Sequence, residues 1–232
     1  HYDQQGHALF FRHSGKPFTA DNIRFLIEQI STKDRGVDEH GIRKQTGRFG
    51  TGFLSTHLLS EIVHVTGVAE EPSNGRKQFT FTLDRSGKTP TEFTLAVENA
   101  KKSLQRLDSS PDLETYDATS LNTVFQFTLT DPLSHQVAKD GIADLQQSLP
   151  YTLIFVPEVN SVLLRSTGQK FKRSYYGKIG ETQTTLSQVT IETMQGQKVV
   201  FSIATVTKGL TSVSVPVVYL EGGVFRLLRI ED

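Results

Sequence analysis

The sequence predicts an α+β domain followed by a β-rich segment. A strand pattern over residues 8–12 leads into a helix pattern that starts at Thr19, with Asp21 in its first turn. Several segments after residue 61 alternate apolar and polar residues, as half-buried strands do. Beyond residue 166 helical periodicity disappears and only strand patterns continue. We therefore expect one domain over residues 1–165 and a β-meander over residues 166–232.

Composition excludes several classes of function. The 232 residues carry 25 Lys and Arg against 25 Asp and Glu, so net charge gives no argument for a nucleic-acid or membrane partner. The chain has no cysteine, which excludes disulfides and thiolate chemistry and fits a cytoplasmic protein. No apolar run is long enough to span a bilayer. Because the chain begins at His1 rather than Met, we expect a fragment of a longer protein.

The remaining elements are mostly predicted strands. A helix is predicted over residues 141–149, ending at Pro150 because proline lacks the amide hydrogen that a helix needs. Residues 101–121 fit a short helix or an exposed loop. Residues 31–46 are polar and glycine-bearing, and fit either a solvated loop or a lid that closes over a ligand. The predicted strands are residues 62–68, 78–83, 92–97, 122–129, 153–156, 161–164, 187–192, 198–206, 212–220 and 224–230.

A glycine-rich stretch precedes the helical pattern of residues 53–60. It reads Gly47-Arg48-Phe49-Gly50-Thr51-Gly52-Phe53. Such a turn at a helix N-terminus presents amide hydrogens and the positive end of a dipole, which suits phosphate. The stretch is not a P-loop, because no Lys-Ser/Thr pair follows its last glycine. Taken alone, it fits a phosphate site or a tight structural turn.

Two further motifs flank that stretch in the chain. Ser14-Gly15-Lys16-Pro17-Phe18 comes before it, and Asn122-Thr123-Val124-Phe125 comes after it. Together the three resemble the GHKL ATPases, which share the Bergerat ATP-binding fold and include gyrase B subunits and heat-shock chaperones. The wording of residues 13–23 is most similar to the sacsin-like, chaperone-like branch, which includes large bacterial ATP-binding proteins. The resemblance covers about residues 8–165.

The resemblance implies a fold and a set of ligands. The fold is a two-layer α/β sandwich, with a mixed, mostly antiparallel sheet and helices on one face. Residues 166–232 would begin a transducer or middle domain. The ligands are ATP or ADP with Mg²⁺. A homodimer formed through lid or transducer segments is the partner that the family suggests, and the protein client is not defined.

The resemblance also assigns roles to residues around the base. Gly15 lets the backbone approach the adenine, and Phe18 packs on the base. Asn22 faces the ligand from the following helix. Thr123 reaches the adenine edge through water.

For the phosphates, the resemblance implies the glycine-rich stretch and the lid. Backbone amides of Gly47, Arg48, Phe49, Gly50, Thr51, Gly52 and Phe53 would wrap the phosphates. Residues 31–46 would be the ATP lid. Its candidate phosphate contacts are Lys33, Arg43 and Lys44, although most loop cations are simply solvated.

The sequence departs from the family pattern in two places. His13 occupies the position where the family has an Asp that accepts a hydrogen bond from the adenine amine. A neutral imidazole, or Ser14, can also accept such a bond. The family's upstream helix, with a Glu that activates water and an Asn that holds Mg²⁺, would precede this chain. Asp21, Glu28 and Glu61 do not occupy its place, so no catalytic residue is assigned.

Three functions follow as hypotheses. The first is an ATP-binding and hydrolysing domain of a larger chaperone-like protein, which closes a lid on Mg-ATP to drive conformational change. The second is a nucleotide-sensing module of the same fold that does not hydrolyse ATP. The third, a histidine-kinase-like phosphotransferase, fits less well, because Leu149-Pro150-Tyr151-Thr152 and the strands around it suit the chaperone branch.

Overall fold

The computed structural model describes residues 2–28, 59–71, 75–105, 111–156, 158–178, 184–208, 211–220 and 224–227. These residues combine three helices with antiparallel strands, which confirms the α+β prediction. The chain forms two compact units, His1–Asp140 and Gly141–Asp232. The predicted domain boundary at residue 165 falls within the second unit.

The first unit contains five described strands. They are β1 (Tyr2–Gln5), β2 (Ala8–His13), β3 (Ile62–Glu71), β4 (Gly75–Asp84) and β5 (Thr123–Thr128). Their order is β1-β2-β5-β3-β4, and all neighbours are antiparallel. Val65 pairs with both Phe81 and Phe125, and all three side chains are buried. Because side chains alternate between faces, these residues define the core face of the sheet.

All three described helices begin with a reciprocal cap between side chain and backbone. Thr19 and Asn22 cap α1 (Ala20–Glu28), each accepting the other's amide hydrogen at 3.2 Å. Thr89 and Glu92 cap α2 (Pro90–Gln105) in the same way. Asp131 accepts the Ser134 amide at 2.9 Å before α3 (Pro132–Phe155). Such caps satisfy amides that have no partner inside the helix.

Helix α2 shows that one strand prediction is wrong. Residues 92–97 were expected to form a strand, but they lie inside α2. The Glu92 carboxylate accepts the amides of Lys88 and Thr89 at 2.6 and 2.9 Å, and these bonds lower its pKa. A Thr-x-x-Glu capping box with Pro at the first helical position therefore starts a helix where β-branched and aromatic residues suggest a strand.

Helix α3 is longer than the sequence predicts. It begins at Pro132 and passes through Pro150 to Phe155, so the predicted stop at Pro150 and the predicted strand over residues 153–156 are both wrong. Leu149 and Leu153 are buried on either side of the proline. Burial of this apolar face outweighs the single helix hydrogen bond that Pro150 cannot make. No described helix is long and apolar enough to cross a membrane.

The second unit combines the C-terminal part of α3 with the predicted antiparallel meander. Arg173 ties it to the end of α3, donating 2.9 Å hydrogen bonds to the carbonyls of Leu153, Val156 and Val159. The Tyr151 ring also meets the Phe201 ring edge-on, with centroids 4.9 Å apart. The described strands are β6 (Ser161–Leu164), β7 (Gln169–Lys178), β8 (Thr184–Glu192), β9 (Lys198–Lys208), β10 (Thr211–Leu220) and β11 (Val224–Leu227).

Candidate functional site

Two of the three sequence motifs meet at the end of β2. His13 is the last residue of β2 and pairs directly with Thr123, the first residue of β5. Thr123 is two residues from the buried Phe125 on β5, and His13 is two residues from Phe11, which pairs with Phe125. Because side chains alternate between the faces of a strand, Thr123 and His13 lie on the same face as Phe125. Two segments that are far apart in the sequence therefore form one corner of the core face.

His13 has a defined hydrogen-bonding state in this corner. Its Nδ1 lies 3.1 Å from the Ser14 carbonyl oxygen, which can only accept, so Nδ1 carries the hydrogen. In the neutral ring Nε2 is then an acceptor. The ring stacks on Phe125 with centroids 6.0 Å apart. Burial lowers the pKa of His13, against the opposing effect of the Ser14 hydrogen bond, and so favours this neutral form.

Thr123 is buried beside His13, with 4% of its surface exposed. Its predicted contact with an adenine edge stays a prediction. The structure shows that its position is fixed by the pairing of β2 with β5.

Gly15 forms the turn that leaves β2. Its φ of +148° lies in a region that L side chains rarely adopt. Its amide donates to the Ala118 carbonyl at 3.0 Å, and its carbonyl accepts the Tyr116 hydroxyl at 2.6 Å. A Cβ built on Gly15 would meet no atom of the described residues within 4 Å. The turn is thus held through its backbone, and no side chain in the described part of the protein fills the space beside its Cα.

The loop that holds Gly15, residues 111–122, is itself held by Asp117. The Asp117 carboxylate accepts hydrogen bonds from the hydroxyls of Thr119 and Ser120, at 2.6 and 2.7 Å, which lower its pKa. The main-chain carbonyl of Asp117 accepts a 2.7 Å hydrogen bond from the Asn122 side-chain amide. These bonds fix the loop next to Thr123. We call residues 111–122 the Asp117 loop.

Phe18 joins the sheet after the turn. Its amide donates to the Val68 carbonyl at 2.8 Å, and its carbonyl accepts the Glu70 amide at 2.9 Å. Its ring meets Phe79 edge-on, with centroids 5.5 Å apart, and lies over Gly67. The ring is half-buried. Its predicted packing on a base stays a prediction, whereas its packing on Phe79 is a structural role that the sequence did not indicate.

Asn22 has a role in the helix cap. Its Oδ1 accepts the Thr19 amide at 3.2 Å, so this oxygen completes the start of α1. Asn22 is exposed, and its predicted approach to a ligand stays a prediction.

The other predicted site residues lie outside the described residues. They are Lys33, Arg43, Lys44 and the stretch Gly47, Arg48, Phe49, Gly50, Thr51, Gly52 and Phe53.

Three acidic side chains of the first unit take part in ion pairs. Asp21 pairs with Arg24 at 3.3 Å, and Glu28 with Lys101 at 2.5 Å. Glu61 pairs with Lys88 at 3.2 Å. In the described part of the chain, no three His, Cys, Asp or Glu side chains are grouped as a metal site requires.

Sequence reasoning missed Tyr116 and the Asp117 loop. A weak signal was present, because Asp-x-Thr-Ser is typical of turns in which a carboxylate accepts hydrogen bonds from following residues. Nothing in the local sequence indicates that Tyr116 reaches Gly15, which is 101 positions away.

Comparison with known proteins does not assign the chain to a family. No protein-family model matches it, and no curated protein or solved structure gives a significant match.

Proposed function

We propose that this chain is the nucleotide-binding domain of a larger, cytoplasmic GHKL-type ATPase of the chaperone-like branch. The observation that carries the proposal is the pairing of His13 with Thr123. These residues belong to two separate motifs of the resemblance, and their roles at one adenine require them to be close together. The space beside Gly15, which no described residue fills, supports the same site.

His13 supplies the chemistry that recognises a base. With Nδ1 donating to the Ser14 carbonyl, Nε2 of the neutral ring can accept a hydrogen bond from the exocyclic amine of adenine. It thereby replaces the carboxylate that the family uses. An acceptor at this position disfavours guanine, whose edge carries a carbonyl in place of that amine. We therefore propose ATP or ADP as the ligand.

The residues that we propose to bind the phosphates are inferred from the sequence motif. Gly47 to Phe53 would hold the phosphates through backbone amides, under a lid formed by residues 31–46. Bound ATP would supply the energy of phosphoryl transfer. The residues of this chain that we describe would bind and orient its base. We assign no residue to Mg²⁺, and the dimer that the family suggests stays part of the proposal.

The test is calorimetric titration of the full-length protein with ATP and GTP in the presence of Mg²⁺. We expect ATP to bind at micromolar to millimolar concentration, and GTP more weakly. His13→Phe keeps an aromatic ring but removes the acceptor, and should abolish the preference for ATP. Thr123→Val should weaken ATP binding about fivefold, the effect of one hydrogen bond of about 1 kcal/mol.

A matched control lies at the other end of β5. Thr128→Val makes the same change on the same strand, opposite Ala8 rather than His13, and should leave ATP binding unchanged. No ATP binding at millimolar concentration, or equal effects of the two threonine variants, would overturn the proposal.

A nucleotide sensor that does not hydrolyse ATP is the second candidate. His13 favours it, because this residue stands where the family has an Asp that binds the adenine amine. Measurement of phosphate release by the full-length protein separates the two functions. Binding with no release above the rate in buffer would establish the sensor.

A further inference from the structure

The exposed face of the meander carries a basic cavity of about 470 Å³. Lys170 and Lys172 of β7 and Lys198 of β9 line it, and all three are exposed. The intervening strand β8 contributes Thr190 and Glu192. The described residues that line it all belong to the second unit.

The register of the strands explains why these side chains converge. Glu192 pairs with Lys170 on one side and with Lys198 on the other, so three charged residues form a row across the sheet. Lys172 pairs with Thr190 in the next row. Neighbouring strands lie about 4.8 Å apart, which brings the charges of one row close together.

The row leaves a surplus of positive charge. Glu192 is the one carboxylate on the described lining, and its Oε1 lies 3.7 Å from Lys198 Nζ. A single carboxylate cannot neutralise three ammonium groups. Arg173 also lines the cavity, but its guanidinium donates to the main-chain carbonyls of Leu153, Val156 and Val159, so it is not counted in this surplus.

A bulge in β7 shapes the end of the cavity. Arg173 pairs with Val189 and Tyr175 with Gln188, so the residue between them, Ser174, is an extra residue in the ladder. Bulges redirect side chains and are frequent beside binding sites. Ser174 and Thr190 both line the cavity, so their hydroxyls are available as hydrogen-bond donors alongside the lysine ammonium groups.

We propose that this cavity binds the phosphate groups of a compact polyphosphorylated ligand. Ammonium groups and hydroxyls are suitable donors to phosphate oxygens. The volume lies within the range of small-molecule sites rather than that of an extended groove. The described residues that line the cavity lie on β7, β8 and β9, and none of them is a residue of the proposed nucleotide site.

The test is titration of the full-length protein with tripolyphosphate, with ATP titrated separately. We expect tripolyphosphate to bind, and to bind more weakly as salt rises from about 20 to about 200 mM, because the cavity is open to solvent. The combined variant Lys170→Gln, Lys172→Gln, Lys198→Gln should weaken it about tenfold, since each exposed charge pair has a modest effect. ATP binding at the first unit should be unaffected in this variant.

Two further variants distinguish binding in the cavity from nonspecific attraction of an anion to a positively charged surface. Lys178→Gln removes an exposed lysine from the same strand outside the cavity, and should leave tripolyphosphate binding unchanged. Glu192→Gln should strengthen binding, because it removes the negative charge from the row.

Three results would overturn the inference. They are no tripolyphosphate binding at low salt, equal weakening by Lys178→Gln and by the combined variant, and tighter binding of a single-stranded oligonucleotide than of tripolyphosphate. A phosphorylated peptide that competes with tripolyphosphate would support the inference and identify a protein as the source of the phosphates.

Discussion

The Tyr116 hydroxyl donates a 2.6 Å hydrogen bond to the Gly15 carbonyl, linking the Asp117 loop to the turn after β2. The Gly15 amide adds a second bond to the same loop, at Ala118. The turn that would face a ligand is thus positioned by a loop that reaches it from another part of the sequence.

Replacing Tyr116 with Phe should destabilise the protein by about 1 kcal/mol, the usual net value of one hydrogen bond. It should also weaken ATP binding, because the Gly15 turn loses one of its two supports. Urea unfolding and calorimetry measure the two effects. Tyr151→Phe is the control, since this tyrosine is 39% exposed and packs its ring on Phe201; its unfolding free energy should change by less than about 0.5 kcal/mol.

Gly15→Ala and Gly141→Ala should have opposite effects on stability. An added Cβ meets no atom of a described residue within 4 Å at either position, so steric contact with these residues does not distinguish them. At Gly15 the φ of +148° strains any L residue, and we expect a loss of about 1–3 kcal/mol. Gly141 lies inside α3, where alanine should add about 0.5–1 kcal/mol. Thermal unfolding of both variants checks this, and a loss at both positions would contradict the backbone explanation.

His13 should make stability depend on pH on the acidic side. Burial lowers its pKa in the folded protein, whereas in the unfolded chain the group titrates near its ordinary value of about 6.5. Below that value the unfolded state binds more protons, so the free energy of unfolding falls as pH falls toward and through the folded pKa. Well above the ordinary value of about 6.5, His13 is neutral in both states, so its contribution to the free energy of unfolding no longer changes with pH.

Comparison with His13→Phe isolates this contribution. The unfolding free energy of the variant should change less between about pH 7.5 and about pH 5 than that of the natural protein. Urea unfolding at both pH values measures the difference. Equal changes in the two proteins would show that His13 is not the group responsible.

Gly67→Ala should disturb the contact between Phe18 and the sheet. The added Cβ would lie 2.6 Å from Phe79 Cζ and 3.3 Å from Phe18 Cε2, so the rings would have to move. Overpacking of this kind costs about 1–3 kcal/mol. We expect a lower denaturation midpoint, and an altered environment of both rings in aromatic proton NMR spectra. An unchanged spectrum would show that the core accommodates the methyl group without moving Phe18.

Local sequence patterns were sufficient to predict several elements. The alternation at Phe79, Phe81 and Leu83 indicates β4, and all three side chains are buried as that pattern requires. The start of α1 follows from Thr19, which caps it as expected. In both cases a short-range signal and the tertiary environment favour the same structure.

The sequence-based predictions were wrong or incomplete where distant contacts or competing local patterns determine the structure. Pro150 predicts a helix end, but buried leucines on both sides keep it inside α3, and Arg173 satisfies carbonyls at and beyond the helix end. In α2 the capping box at Thr89 competes with a strand-like composition. For the candidate site, the motifs identified His13 and Thr123 but not their pairing. Tyr116 could not be identified, because no local pattern connects it with Gly15.

The arrangement of the strands has a consequence for the order of folding. β3 and β4 are each ten residues long, are adjacent in the chain, and pair along their whole length. The corner formed by β2 and β5 instead requires closure of a loop of about a hundred residues, as the separation of 101 between Gly15 and Tyr116 indicates. Local contacts form early and distant ones late. Substitutions at Thr123 should therefore accelerate unfolding more than they slow folding, whereas those in the β3–β4 hairpin should act chiefly on the folding rate.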